Sequence, residues 1–141
     1  MSNSPANDTS SLDEMAQDDQ HSAEFVARVK HFYQALQKKD WPTSYDIRTA
    51  DYKRDVTRDF YLKQMANDGK QWNLNSYKVL NIKRYGDARG DFTAVQMIME
   101  FSETGTHSYN ISLWKKEGGS WQCEEPGLDG PVLLRSMRVP D

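Results

Sequence analysis

The stretch that decides the fold runs from residue 92 to residue 125 and reads FTAVQMIMEFSETGTHSYNISLWKKEGGSWQCEE. Apolar and polar residues alternate along most of it, which is the period of a β-strand. Thr104-Gly105 and Gly118-Gly119 interrupt the alternation, and short glycine-containing connections are typical of β-hairpins. The stretch therefore predicts three consecutive antiparallel strands. They are Phe92–Glu103, Thr106–Glu117 and Ser120–Glu125.

Two-residue loops at both turns fix a predicted register. Phe101 then lies opposite Ser108, Val95 lies opposite Trp114, and Trp114 lies opposite Cys123. One face of the sheet collects Val95, Met97, Met99, Phe101, Trp114, Trp121 and Cys123, and we expect it to pack on helices. The other face collects Gln96, Ile98, Glu100, His107, Tyr109, Ile111, Leu113 and Glu124.

The residues before this stretch predict one more strand and three helices. Trp72–Arg84 has strand character, whereas Ala23–Lys39 carries an apolar stripe with helical spacing. A short helix follows from Pro42 to Arg48, and another from Asp55 or Thr57 to Asn67. Helices first and strands after them indicate an α+β fold with N-terminal helices packed on a curved antiparallel sheet.

The chain of 141 residues has 18 basic and 21 acidic side chains, and the charge is unevenly placed. Residues 1–22 hold five acids and no Lys or Arg, so we expect a mostly disordered acidic tether there and a folded domain over residues 23–141. Within the tether, Ser11-Leu12-Asp13-Glu14 matches a capping box, which is typical of the start of a helix turn. The near-neutral domain does not favour a nucleic-acid partner, and no apolar run reaches the about 18 residues of a transmembrane segment. The sequence as it stands favours the cytoplasm, while a trimmed leader would favour a periplasmic or lipid-anchored protein.

This pattern resembles the NTF2-like (SnoaL-like, cystatin-like) superfamily over roughly residues 23–125. The matching features are Phe32 and Leu36 on the first helix, Lys39-Asp40-Trp41 before a helix with Tyr45, and the closing hairpin from Trp114 to Trp121. The resemblance implies a cone of curved sheet around helices. Some members of the superfamily hold an isomerase, dehydratase or cyclase pocket in that cone, and others are non-catalytic interaction modules.

The mixed face of the sheet is the first candidate site. Its aliphatic and aromatic side chains suggest a homodimer interface or a surface for another protein, although ordinary exposed aliphatics on a solvated face explain it equally well. The candidate residues are Glu100, His107, Tyr109, Ile111 and Leu113. A small non-catalytic interaction or dimerisation domain is therefore our first functional hypothesis.

A pocket in the cone is the alternative site, and it would suit a small hydrophobic ligand or substrate. Its candidate residues are Tyr45, Asp46, Tyr61 and Asn110, with the acid as a base and a Tyr as an oxyanion donor. The favoured interpretation is that Tyr45 is a core aromatic side chain and that Asp46 is a surface charge. We expect no cofactor and no metal, because no His has an i, i+4 partner and the single Cys123 cannot build a zinc site.

Overall fold

The computed structural model describes residues 7–17, 20–101 and 106–126. Over these ranges the chain forms five α-helices, then a 3₁₀ turn at Gly69–Gln71, and then four β-strands. The helices are α1 (Ser10–Ala16), α2 (Gln20–Lys38), α3 (Trp41–Asp46), α4 (Ala50–Asp55) and α5 (Arg58–Asp68). The strands are β1 (Leu74–Asp87), β2 (Gly90–Phe101), β3 (Thr106–Glu117) and β4 (Ser120–Glu125).

The four strands form one antiparallel sheet in the order β1-β2-β3-β4, and the helices pack on one side of it, which confirms the α+β prediction. The β3–β4 register is the predicted one, with Trp114 opposite Cys123. The β2–β3 register differs by two residues, because β2 ends at Phe101, which pairs with Thr106. An even shift leaves every side chain on its predicted face, since side chains alternate with period two.

Helix boundaries follow from their capping residues. Asp40 caps α3 by accepting a hydrogen bond from the Thr43 amide, and Thr57 caps α5 by accepting one from the Phe60 amide. Helix α4 was missing from the sequence prediction, although Thr49 caps it in the same way. Six residues carry too little periodicity to stand out in a sequence.

None of the helices in the described ranges has the length and apolar character that a membrane crossing requires.

The predicted tether contains α1 and residues 20–22 of α2, and its residues 1–6 and 18–19 lie outside the described residues. Leu12 of α1 is fully buried in the main core, and Asp13 forms an ion pair with Lys30 of α2. Just before α1, the Asp8 amide donates to the Tyr77 carbonyl at 3.0 Å, and Asp8 accepts from the Val79 amide at 2.8 Å. One buried leucine and a two-bond bridge to β1 thus anchor a segment whose composition alone favours disorder.

The free edge of β4 is covered by the segment between α3 and α4. The Cys123 amide donates to the Ile47 carbonyl at 2.7 Å, and the Thr49 amide donates to the Cys123 carbonyl at 3.1 Å. The guanidinium of Arg48 is buried and donates to the carbonyls of Cys123 and Glu124. This segment satisfies strand groups that an edge otherwise leaves unpaired.

The space between the sheet and the helices is filled by large side chains. Trp114 is fully buried, with the rings of Phe25 and Phe32 at 6.1 and 5.5 Å in edge-to-face geometry. Met97 and Met99 of β2 fill the neighbouring volume and are also fully buried. Along this middle portion of the sheet, the helix-facing side is a packed core.

Candidate functional site

A cleft of about 540 Å³ lies at the end of the sheet, where β1 and β3 finish and β2 and β4 begin. All of its lining residues belong to the four strands, so the sheet here extends past its helical cover. We call it the sheet-end cleft and define it by six side chains on one face. They are Arg84, Asp91, Thr93, Trp114, Lys116 and Trp121.

The strand register explains why these six residues share a face. Arg84 pairs with Thr93, and Thr93 pairs with Trp114. One step nearer the sheet end, Lys116 pairs with Trp121. Directly opposed side chains on neighbouring antiparallel strands lie about 5 Å apart at Cβ. The Lys116 and Trp121 side chains are therefore neighbours on this face.

Trp114 forms the buried floor of the cleft. Its Nε1 donates a 2.9 Å hydrogen bond to the Ser112 hydroxyl, so its polar atom is satisfied inside the protein. Satisfied, fully buried indoles of this kind contribute mainly to core stability.

Trp121 is the aromatic side chain that the cleft exposes. Its ring is partly exposed and meets Phe25 edge-on at 4.8 Å. Its Nε1 is buried and has no hydrogen-bond partner within the described part of the chain. The same indole lines a second cleft of about 290 Å³, together with Arg28 and His31 of α2. The Trp121 side chain therefore lies between the sheet-end cleft and this second cleft.

The charges of the cleft are mixed, with an excess of cations. Arg84 and Lys116 are exposed on the Trp121 face, and Asp91 is the acid on that face. Lys115 also borders the cleft, but its Nζ lies 5.5 Å from the centre of the Phe92 ring on the opposite face. A surface with an indole, two cations and one acid can bind a planar ligand that carries negative charge.

Sequence reasoning placed Trp114 and Trp121 on the correct face but missed the cleft. The overlooked signal is Lys116, which follows Trp114 by two residues and therefore shares its face of β3. Charged side chains at helix-facing positions indicate that the helical cover has ended there, because burying unpaired charge is costly.

Three of the four predicted pocket residues lie around α3 and α5. The rings of Tyr45 and Tyr61 are 5.1 Å apart, so the structure brings these two together. The Tyr45 hydroxyl donates to the Val56 carbonyl at 2.7 Å, and the Tyr61 hydroxyl is 2.8 Å from that of Ser44. Burial raises the pKa of Tyr61. Asp46 is exposed and has its carboxylate 3.3 Å from the Arg58 guanidinium.

Asn110, the fourth predicted pocket residue, lies on the sheet side of the core. It is buried opposite Met97, and its Nδ2 donates to the Ser108 carbonyl at 3.2 Å. Its Oδ1 has no hydrogen-bond partner among the described residues. None of the hydrogen bonds and ion pairs of these described residues joins Asn110 to Tyr45, Asp46 or Tyr61.

The predicted partner face is less exposed than its sequence suggests. Tyr109 is 43% exposed, but Ile111 and Leu113 are only 5% and 0% exposed, so their interpretation as surface side chains is wrong. They belong to a second apolar cluster with Phe92 and Ala94. The other two candidate residues of this face are Glu100 and His107.

Glu100 is half-buried and accepts a hydrogen bond from the Ser76 hydroxyl at 3.2 Å. His107 has its backbone in β3, and its side chain lies outside the described part of the structure.

The Arg89 guanidinium lies 5.3 Å from the Phe92 ring and forms ion pairs with Asp87 and Glu124. Those charges border the second apolar cluster at the sheet end.

Comparison of the chain with protein-family models gave no match, and comparison with curated proteins gave none. The resemblance to the NTF2-like superfamily therefore stays a prediction, while the α+β architecture is observed.

Among the described residues, no group of three or more potential ligands is placed to hold a metal ion. Burial raises the pKa of the Cys123 thiol to about 12, so this side chain is a core residue in its chemistry as well as its position.

Proposed function

We propose that this domain is a non-catalytic binding module that takes a small ligand into the sheet-end cleft. The observation that carries the proposal is the cleft itself, in which Trp121 and two cations lie on rigid strands at the end of a packed core. Its volume of about 540 Å³ falls within the range of small-molecule sites.

The chemistry of the interior supports a binding role over a catalytic one. A general acid or base works best with a pKa near the operating pH. The hydroxyl groups of Tyr33, Tyr45 and Tyr61 are instead engaged with protein oxygens. Burial also raises the pKa of Tyr33 and of Tyr61, away from neutrality.

The test is a titration followed by ¹H–¹⁵N correlation spectra, with naphthalene-2-carboxylate and naphthalene-2-carboxamide as the two probes. We expect at least one probe to shift the amide signals of Thr93, Lys116 and Trp121. We also expect Trp121→Ala to abolish these shifts. Trp72→Ala is the matched control, because it removes another partly buried indole that packs on Trp41 and Phe101 instead.

Two results would overturn the proposal. One is that neither probe shifts the cleft signals at millimolar concentration. The other is that Trp72→Ala removes the shifts as fully as Trp121→Ala, which would make the response a general loss of structure.

A second candidate function is association with a second copy of this chain through the outer face of the sheet. It is supported by Tyr109, which is exposed and pairs across the strands with the half-buried Ile98. Light scattering over a concentration series tests it, with Tyr109→Glu as the variant. A wild-type protein that is monomeric throughout would reject this candidate.

A further inference from the structure

We infer that the sheet-end cleft selects planar monoanions, with an aromatic carboxylate as the simplest such ligand. The inference rests on the proposed function and adds the chemical class of the ligand. Its starting point is the order of side chains across the sheet: Arg84 on β1, Asp91 on β2, Lys116 on β3 and Trp121 on β4.

The planar part of the ligand is assigned to Trp121. Phe25 contacts this indole edge-on at an interplanar angle of 68°, and part of the ring remains exposed to the cleft. Aromatic rings bind one another in offset-stacked or edge-on geometry. The buried Nε1 of this indole has no hydrogen-bond partner among the described residues, which is unusual for a side chain placed for stability alone. Departures of this kind are expected at functional positions.

The negative charge of the ligand is assigned to the cations of the cleft. Neighbouring strands are about 4.8 Å apart, so Lys116 lies one strand from Trp121. Arg84 lies three strands away and one row further from the sheet end, in the row of Thr93 and Trp114. A ligand ring on Trp121 with a substituent directed across the sheet toward β1 would bring that substituent past Lys116 toward Arg84, because all three side chains line the same cleft. The planar guanidinium of Arg84 can bind both oxygens of a carboxylate.

Asp91 limits the charge that the cleft accepts. It lies on β2, between the strands that carry the two cations, and its carboxylate reaches over Gly86. Arg84, Lys116 and Asp91 give the Trp121 face a net charge near +1, and Lys115 borders the cleft from the opposite face, so we expect one negative charge to fit better than two. A dianion would place its second charge near the Asp91 carboxylate.

The experiment compares the dissociation constants of naphthalene-2-carboxylate and naphthalene-2-carboxamide, which share a ring and differ in charge. The wild-type protein should bind the carboxylate more tightly by at least about fivefold. Arg84→Gln should reduce that preference while leaving the affinity for the amide unaffected. The preference should also fall as salt is raised from low to high concentration, because the cations are exposed.

Lys83→Gln is the matched control. It removes the same charge one residue away on the same strand, but Lys83 pairs with Ala94 on the opposite face of the sheet. The preference should survive this change. Naphthalene-2,6-dicarboxylate should bind no more tightly than the monocarboxylate if Asp91 acts as inferred.

Distinct results overturn the inference and the proposed function. Equal affinity for the carboxylate and the amide in the wild type would overturn the inference and leave the proposed function standing. An equal loss of preference in Lys83→Gln and Arg84→Gln would also overturn it, since the effect would then be a general field. Failure of both probes to bind would remove the inference and the proposed function together.

Discussion

Trp114 and Trp121 lie on adjacent strands of the same face, and both contact Phe25, yet they sit in opposite surroundings. Trp114 is fully buried and donates its N–H to Ser112. Trp121 is partly exposed, and its N–H has no partner among the described residues. The pair marks the line where the sheet changes from a covered core into an uncovered end.

The difference teaches how one face can serve two purposes. Under the helices, large buried side chains such as Trp114, Met97 and Met99 form the core. At the end of the helical cover, the same alternation of side chains presents the partly exposed Trp121 and charged groups to solvent. A change on the covered side of that line should alter stability, and a change on the open side should alter binding.

The largest expected effect is that of Trp114→Ala. Removing a fully buried indole should lower the free energy of unfolding by about 3–5 kcal/mol, because packing is lost and a cavity remains. Trp121→Ala is the matched variant and should cost only about 1–2 kcal/mol, since its ring is partly exposed already. Urea unfolding followed by circular dichroism measures both. Equal losses of unfolding free energy in the two variants would contradict the distinction between the covered core and the open sheet end.

The next largest effect is expected for Ser112→Ala. This change leaves the Trp114 N–H buried without an acceptor, which should cost about 1–3 kcal/mol. Ser108→Ala is the control on the same face of β3, where the backbone carbonyl and not the hydroxyl accepts from Asn110. The same unfolding measurement applies. A Ser112 variant as stable as the Ser108 variant would contradict the assigned role of the hydroxyl.

Alkaline pH should destabilise the covered region. Burial raises the pKa of both Cys123 and Tyr77 to about 12, from ordinary values of 9.0 and 10.0. Above pH 9 the unfolded chain therefore loses protons that the native state retains, so stability is full below pH 9 and falls as pH rises toward 12. The urea midpoint at successive pH values measures this effect.

Cys123→Ala separates the thiol from the tyrosines in that experiment. The variant should lose the part of the decline that begins near pH 9 and keep the part that begins near pH 10. A wild-type midpoint that stays constant up to pH 11 would show that these groups ionise as readily in the native state as in the unfolded one.

The smallest expected effect on stability is that of Trp121→Phe. The change keeps an aromatic ring on Phe25 and removes the unpaired N–H, so the free energy of unfolding should change by less than about 0.5 kcal/mol in either direction. Trp114→Phe is its counterpart and should be clearly destabilising. A loss of several kcal/mol in Trp121→Phe would mean that this indole is a core residue after all.

Much of the fold was predictable because its signals are local. The alternation through β2, β3 and β4, and the glycine turn at Gly118-Gly119, define strands and faces without long-range information. These two glycines have φ values of +56° and +85°, which other residues rarely adopt. Helix α2 likewise follows from its apolar stripe.

The missed features depend on long-range contacts. Helix α1 is stabilised by burial of Leu12 and by the bridge from Asp8 to β1, neither of which composition reveals. The burial of Ile111 and Leu113 depends on a cluster with Phe92 and Ala94 from another strand. The sheet-end cleft depends on where the helices stop covering the sheet. The alternation of residues within a strand does not predict where that point lies.

The bridge between Asp8 and β1 has a consequence for the order in which the protein folds. Asn7, beside it, also bonds to the amide of Tyr77, 70 residues further along the chain. Asn7 and Asp8 are synthesised well before their hydrogen-bond partners Tyr77 and Val79. Contacts of such long sequence separation form slowly. The N-terminal segment should therefore dock late, on a β1–β2 hairpin that has already formed, and hydrogen exchange during refolding should protect β2 before Asp8.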